Sequence, residues 1–124
     1  MKLYIAAQDQ HAAREASQSL RIEGHVITAR WLHAEFMSTE FYSEAERIQI
    51  AFDDVRDVVR ADALVLLEPS PLEKVPGGKF VEVGVALGLN KRVYVVGPRA
   101  NMLMWHPLVT CVANLSELCN ELRD

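Results

Sequence analysis

A chain of 124 residues with a formal net charge of −4, half of it apolar and 24% charged, has the balance of a soluble globular domain and the length for a real core. No Lys/Arg run concentrates positive charge, which argues against a nucleic-acid polymer as partner, and no apolar stretch approaches a membrane span. Cys111 and Cys119 suit a reduced, cytoplasmic protein better than a disulfide framework. The histidines at 11, 25, 33 and 106 show no metal-ligand spacing, so no metal is expected.

Leu3-Tyr4-Ile5-Ala6 is an apolar run and the first predicted strand. Met1 to Ala7 imitates the start of a signal peptide, but the run is too short and Gln8-Asp9-Gln10 stops it. Ala12 to Glu23 is helical in composition, with Ala12, Ala16, Leu20 and Ile22 as a rough apolar stripe and Gly24 as a natural end. His25-Val26-Ile27-Thr28 is the second strand, and this order with short connections predicts a parallel pair with a right-handed crossover. Ala29 to Tyr42 carries Trp31, His33, Phe36, Phe41 and Tyr42 and reads as a functional loop or short helix near the site.

Ser43-x-x-Glu46 is a capping box opening a helix to about Arg60. Ile48, Phe52, Val55 and Val59 mark its inward face by their spacing. The mixed charges of Asp53, Asp54 and Asp57 with Arg47, Arg56 and Arg60 read mostly as a solvated face. Ala63-Leu64-Val65-Leu66-Leu67 does not alternate, as in a buried parallel strand. A loop from Glu68 to Gly78 leads into an apolar helix, then a strand Arg92–Val96 ending at Gly97-Pro98. A weak strand near Thr110–Val112 and a capped helix from about Ser116 to Leu122 complete the chain. With no linker and no repeat, residues 1–124 form one α/β domain. The expected architecture is a doubly wound five-stranded parallel sheet in the flavodoxin-like order.

The apolar helix is the most informative stretch. From Phe80 to Leu89 its one charged side chain is Glu82. A helix apolar all round is buried on more than one face, and a carboxylate within it is costly to desolvate without partners. Gly84 and Gly88 share a face and would admit a close neighbour. Gly77-Gly78 frees the backbone for an unusual turn before the helix. Glu82 then sits in the first turn or so, where the helix end favours the ionised form, so its pKa need not depart far from normal.

Ligands of open parallel sheets bind beyond the carboxyl ends of the strands, at the switch in strand order. Those ends carry Ala7, Gln8 and Asp9, then Arg30 and Trp31, then Glu68, and finally Gly97 and Arg99. With Gly77 and Gly78, this edge supplies the candidate substrate-binding residues Ala7, Gln8, Trp31, Gly77, Gly78, Gly97 and Arg99. No G-x-G-x-x-G follows the first strand and no P-loop is present, so no dinucleotide or other cofactor is expected. Serine, cysteine and histidine form no nucleophile set. Carboxylate chemistry in a partly apolar pocket remains.

Leu3-Tyr4-Ile5-Ala6, Asp54 eight residues before the Asp62 of Ala61-Asp62-Ala63, Gly78-x-x-x-Glu82-x-Gly84 and Asn90-Lys91-Arg92-Val93, in that order and spacing, resemble the nucleoside 2-deoxyribosyltransferase superfamily. That group includes the 2′-deoxynucleoside 5′-monophosphate N-glycosidases. The resemblance implies that Glu82 is the nucleophile on the sugar's anomeric carbon. It also implies that Asp54 contacts the base or transfers a proton, and that Tyr4 orients the nucleophile. The residue types suit the chemistry: a carboxylate captures the positive charge of N-glycosidic cleavage, and a second acid protonates the leaving base. The substrate implied is a small-molecule nucleoside or nucleotide.

Taken alone, Tyr4 reads equally well as a core aromatic, and Asp54 as a solvated helix residue. The chain also departs from the family. Pro76 stands where transferases carry an acidic residue six before the nucleophile, with Glu73 or Glu68 as substitutes. Ala7-Gln8-Asp9-Gln10-His11 replaces the Gly/Ser-rich turn that holds a phosphate. Base, 5′-phosphate, and transfer against hydrolysis therefore stay open. A non-catalytic nucleotide-binding or sensing module of the same fold is the alternative. The excess apolar surface of the Glu82 helix, with Trp105 and Met102 to Met104 nearby, predicts a homodimer or larger homo-oligomer.

Overall fold

Strands with both faces covered need no polar alternation, and β1 (Lys2–Ala6), β3 (Ala63–Leu67) and β4 (Arg92–Val96) have almost none. They form the centre of a five-stranded sheet with β2 (Val26–Ile27) and β5 (Val109–Val112), in the order β2-β1-β3-β4-β5. Every pairing is parallel. The computed structural model describes residues 1–34, 39–68 and 78–123. Gly77, Phe36, Glu73 and Pro76, all named from the sequence, lie outside the described residues.

Helix α1 (Gln10–Ile22) leaves β1 toward β2, whereas α2 (Glu44–Arg60) and α3 (Gly78–Gly88) carry the chain the other way. Right-handed crossovers therefore put α1 on one face and α2 with α3 on the other. Helix α4 (Leu115–Arg123) joins the α1 face, where Arg123 Nη2 meets Glu23 Oε1 at 2.8 Å. Local signals close the elements as their chemistry requires. Asp9 caps α1 and Gly24, at φ +93°, ends it. Ser43 and Glu46 form the capping box of α2 in both directions. The core lies along the sheet, with Leu3, Tyr4, Ile5, Leu64, Val65, Leu66, Val93 and Val95 buried between Ala13, Ala16 and Leu20 on one side and Val58, Val83 and Ala86 on the other.

Helix α2 is rotated from the orientation its apolar spacing predicts. Ile48, Phe52, Val55 and Val59 all face outward, with Phe52 57% exposed. The inward side carries Asp57 and Val58, with Asp53 and Asp54 half-buried. Polar anchors account for this. The Asp57 carboxylate, 1% exposed, accepts from Arg30 N at 3.0 Å and Arg30 Nε at 2.9 Å, and pairs with Arg30 Nη2 at 2.8 Å. Thr28 Oγ1 donates to the Asp57 carbonyl at 2.8 Å. Lys91 Nζ donates to the last carbonyls of the helix, at Val58, Val59 and Ala61. The Asp face is thus not the solvated one.

Helix α3 also departs from expectation. Val83 and Ala86 pack on the sheet, but Val81, Gly84 and Gly88 are exposed, and a Cβ built on either glycine would meet nothing within 4 Å. No neighbour within the described chain uses the close approach those glycines permit. Met104 is fully buried, whereas Met102, Leu103 and Trp105 are exposed. If the Arg30 contact turns α2, Asp57→Ala should lower stability by about 2 kcal/mol, the scale of a lost buried acceptor with charged and backbone donors. Urea denaturation at pH 7 measures it, and an unchanged midpoint would show that the contact is incidental.

Candidate active site

The order of the sheet turns between β1 and β3, which are followed by α1 and α3 on opposite faces, and the crevice beyond their carboxyl ends is where such sheets take ligands. A cavity of about 220 Å³ opens there, lined by Ala7, Gln8, Gly78, Lys79 and Glu82. Ala7 and Gln8 directly follow β1, and the rest come from the start of α3. Tyr4 is fully buried in the central strand, and its hydroxyl donates a hydrogen bond to Glu82 Oε2. Tyr4 thus does what the core-aromatic reading and the site reading both require.

Glu82 is the fifth residue of α3 and opens its second turn, beyond the first-turn reach of the helix end. Burial dominates instead and pushes its carboxyl up to about 7; the Tyr4 hydrogen bond opposes the rise and the charge of Asp54 adds to it. The expectation of a near-normal value is corrected accordingly. Asp54 is pushed up to about 6, first by burial and then by the charges of Asp57 and Asp53, with Arg30 opposing. Burial, then the charge and hydrogen bond of Glu82, hold the Tyr4 hydroxyl well above the ordinary phenol range. Tyr4 therefore stays a donor over the range in which Asp54 and Glu82 titrate, at about 6 and about 7. Such a set can supply an ionised carboxylate and a proton donor within one site.

The other sequence-predicted residues divide. Ala7, Gln8 and Gly78 line the cavity with Glu82. Trp31, Gly97 and Arg99 are not among its lining residues. The Trp31 indole Nε1 donates to Ile5 O at 2.8 Å and braces the end of β1. Gly97, at φ +124°, packs against Glu68 so closely that a Cβ would lie 3.1 Å from the Glu68 Cβ, which makes it a backbone requirement. The Arg99 guanidinium stacks on Trp105 at 4.2 Å and its Nε donates to Met104 O at 3.2 Å.

Two side chains passed over by the sequence reading belong here. Lys79 lines the cavity with a side chain 2% exposed, and its Nζ pairs with Glu68 Oε1 at 3.0 Å. Its position three residues before Glu82, on the same helix face, was the available signal. Asp57 is the other, acting through Arg30 on the helix that carries Asp54. Among the described residues, no group of three or more His, Cys, Asp or Glu side chains is arranged to hold a metal.

No family model matches the sequence, and no curated protein matches it. Solved structures do match the fold. A 2-deoxyribosyltransferase from Bacillus psychrosaccharolyticus superposes with a TM-score of 0.75 at 20% identity, covering 97% of this chain and 91% of that one. A conserved protein from Enterococcus faecalis V583 gives 0.67 at 18% identity, covering 99% and 97%. The CMP N-glycosidase BcmB of Clostridium botulinum gives 0.61 at 15% identity, covering 99% and 98%. The chain has the fold of these proteins along essentially its whole length.

The raised Glu82 carboxyl has a measurable consequence. Below its ordinary value of 4.5 the group is protonated folded and unfolded alike. Between there and about 7 the unfolded chain releases the proton first, so stability falls as pH rises, and above 7 the full penalty stands. Glu82→Gln keeps an acceptor for Tyr4 and removes the charge. It should raise the thermal midpoint at pH 8 by roughly 8 °C, for a relief of about 2 kcal/mol, and leave it unchanged at pH 4. Circular dichroism melts at both pH values test this, and an equal shift at pH 4 would rule out a charge origin.

Proposed function

We propose that this chain cleaves or transfers the N-glycosidic bond of a nucleoside or nucleotide, with Glu82 as nucleophile, Tyr4 as its orienting donor and Asp54 as the acid for the leaving base. The observation that carries the reading is the buried Glu82 carboxyl on the cavity, hydrogen-bonded by Tyr4 and within the electrostatic reach of Asp54. The solved structures of like fold include a 2-deoxyribosyltransferase and a CMP N-glycosidase, which supports the same chemistry.

In the proposed reaction, a Glu82 carboxylate oxygen bonds to the anomeric carbon as the bond from that carbon to the base nitrogen breaks. The electron pair of the broken bond goes to the base, which takes a proton from Asp54. Positive charge on the sugar grows beside the Glu82 carboxylate, where partial burial strengthens the attraction between them. The glycosyl ester on Glu82 is then opened by water, giving the free sugar, or by a second base, giving a new nucleoside. The proton of the incoming group returns to Asp54, so atoms and charges close in either outcome.

We also propose that the chain works as a homodimer or larger homo-oligomer through the outer face of α2 and α3. Ile48, Phe52, Val55 and Val59 beside the open Val81 and Gly84 make an apolar surface that a single copy leaves to water. In the assembly we propose, the two-fold axis crosses α2 and pairs the helix with itself in antiparallel sense. It brings Glu44 and Glu46 of one copy toward the partner copy's basic end, and the basic end is Arg56 and Arg60. Cys111 and Cys119 are both free thiols, in keeping with a cytoplasmic location, and among the described residues no helix is long and apolar enough to cross a membrane.

Incubation with a panel of nucleosides and nucleotides, with free base read by chromatography, tests the activity. Glu82→Ala should abolish base release, and rapid quenching of the wild type should trap a sugar adduct on Glu82 by mass spectrometry. Wild-type release by Glu82→Ala would sink the catalytic reading and leave a nucleotide-binding module. Tyr4→Phe and Asp54→Asn should each lower turnover by about one to several orders of magnitude with little loss of stability; a Tyr4→Phe protein that is destabilised but fully active would return Tyr4 to the core. Light scattering at tens of micromolar should find an oligomer that Phe52→Asp converts to a monomer, and a monomeric wild type would refute the assembly.

A further inference from the structure

Lys79 and Glu68 face each other, Glu68 just after β3 and Lys79 in the first turn of α3. Both side chains are withdrawn from water, at 2% and 6% exposure, and meet through Glu68 Oε1 at 3.0 Å. A purely structural clasp would explain that contact. It leaves Glu68 Oε2 unexplained, a buried carboxylate oxygen with no hydrogen-bond partner among the described residues. Native folds rarely abandon such an acceptor, because stripping it of water without a donor is costly. The oxygen belongs to the same carboxylate that Lys79 holds, and Lys79 lines the cavity beside Glu82.

The charge around the cavity narrows what can fill that need. Among the described residues that line the cavity, Lys79 brings an ammonium already matched by Glu68, and Glu82 brings a carboxyl. The start of α1, where an anion would otherwise find free backbone amides, is already occupied. Asp9 Oδ1 accepts from His11 N at 2.9 Å and from Ala12 N at 3.2 Å. A phosphate has only acceptors to offer Glu68 Oε2 and adds negative charge beside it. An alcohol is different: its O–H donates to Glu68 Oε2 while its oxygen accepts from Lys79 Nζ, which has three donors.

We propose that Lys79 and Glu68 form a hydroxyl-binding pair that fixes the sugar of an uncharged nucleoside against Glu82, so that the site takes a nucleoside and not its 5′-phosphate. The inference rests on the N-glycosidic reading of the same cavity. The hydroxyl can be that of the 3′ or the 5′ carbon, and the assay separates the two.

The probe is whichever natural nucleoside of the panel the wild type cleaves fastest, with its 3′-deoxy analogue, its 5′-deoxy analogue and its 5′-monophosphate. The kcat/KM ratio of parent to analogue is measured for the wild type and for the double variant Lys79→Met with Glu68→Gln, which removes both charges and strands neither. In the wild type, one deoxy analogue should lose at least tenfold, and that analogue identifies the hydroxyl. In the double variant the same ratio should fall to threefold or less. The 5′-monophosphate should be at least tenfold poorer than the nucleoside in the wild type. Should the double variant not fold, Glu68→Gln alone retains a partner for Lys79 and should compress the same ratio. Equal ratios in wild type and variant would overturn the pair's role, because a structural clasp changes overall rate without changing which hydroxyl is read. A wild type that prefers the monophosphate would overturn the neutral-ligand assignment. A wild type that releases base from no member of the panel would overturn the N-glycosidic reading itself, and this inference with it.

Discussion

The hydrogen bond from Tyr4 to Glu82 sets the geometry on which this half of the molecule depends. Tyr4 lies in β1, between β2 and β3 in the sheet and covered on both faces, so its hydroxyl must find a partner inside the protein. Glu82 has the complementary need. An almost wholly apolar helix has no polar face to set its rotation about its own axis. One buried donor beneath it does so: with Glu82 turned to Tyr4, Val83 and Ala86 reach the sheet, and Val81, Gly84 and Gly88 turn outward. The exposed apolar surface of α3 is thus a consequence of the polar contact under it.

Helix α2 obeys the same logic with stronger anchors. Its apolar stripe would by itself turn inward, but Arg30 holds Asp57 at the other side and Lys91 gathers its last carbonyls. The rotation does two things at once. It brings Asp53, Asp54 and Asp57 inward, where their mutual repulsion and burial raise Asp54. It leaves Ile48, Phe52, Val55 and Val59 in water beside the open face of α3. A cluster of inward carboxylates and an exposed apolar surface therefore share one cause.

The sheet was legible because its strands are short apolar runs with turn signals between them, and that pattern admits few topologies: β1, β3 and β4 fall where the apolar runs lie, and the capping box starts α2 as read. Glu82 was legible because a lone carboxylate in an apolar helix demands a reason. What was not legible was rotation. Periodicity finds a stripe on α2 but does not say whether sheet, solvent or another copy covers it, and the Arg30–Asp57 contact spans residues far apart in sequence. Lys79 was missed for a related reason. A lysine in a helix is ordinarily solvated, and only the carboxyl end of β3 reveals the Glu68 that draws it in. Trp31, Gly97 and Arg99 were placed at the correct edge of the sheet, yet edge alone does not distinguish lining from bracing. The indole of Trp31 and the φ of Gly97 are spent on the scaffold.

The burial that makes Glu82 reluctant to ionise is also what would make it effective. In water a carboxylate attracts a developing sugar cation weakly, because solvent answers both charges. In the cavity, the same desolvation that lifts Glu82 to about 7 strengthens its attraction for any positive charge that appears beside it. In the proposed reaction a sugar gaining positive charge would favour the ionised carboxylate, most strongly at the transition state, where the charge peaks. Asp54, at about 6, gives up its proton ahead of Glu82, and its charge is one of the causes that lift Glu82. The proposed reaction would therefore draw on the arrangement in which the proton has moved from Glu82 to Asp54, which a positive charge growing beside Glu82 would favour. The hydrogen bond from Tyr4 goes to Glu82 alone and favours its ionised form, so it would help Glu82 take the charge while Asp54 held the proton.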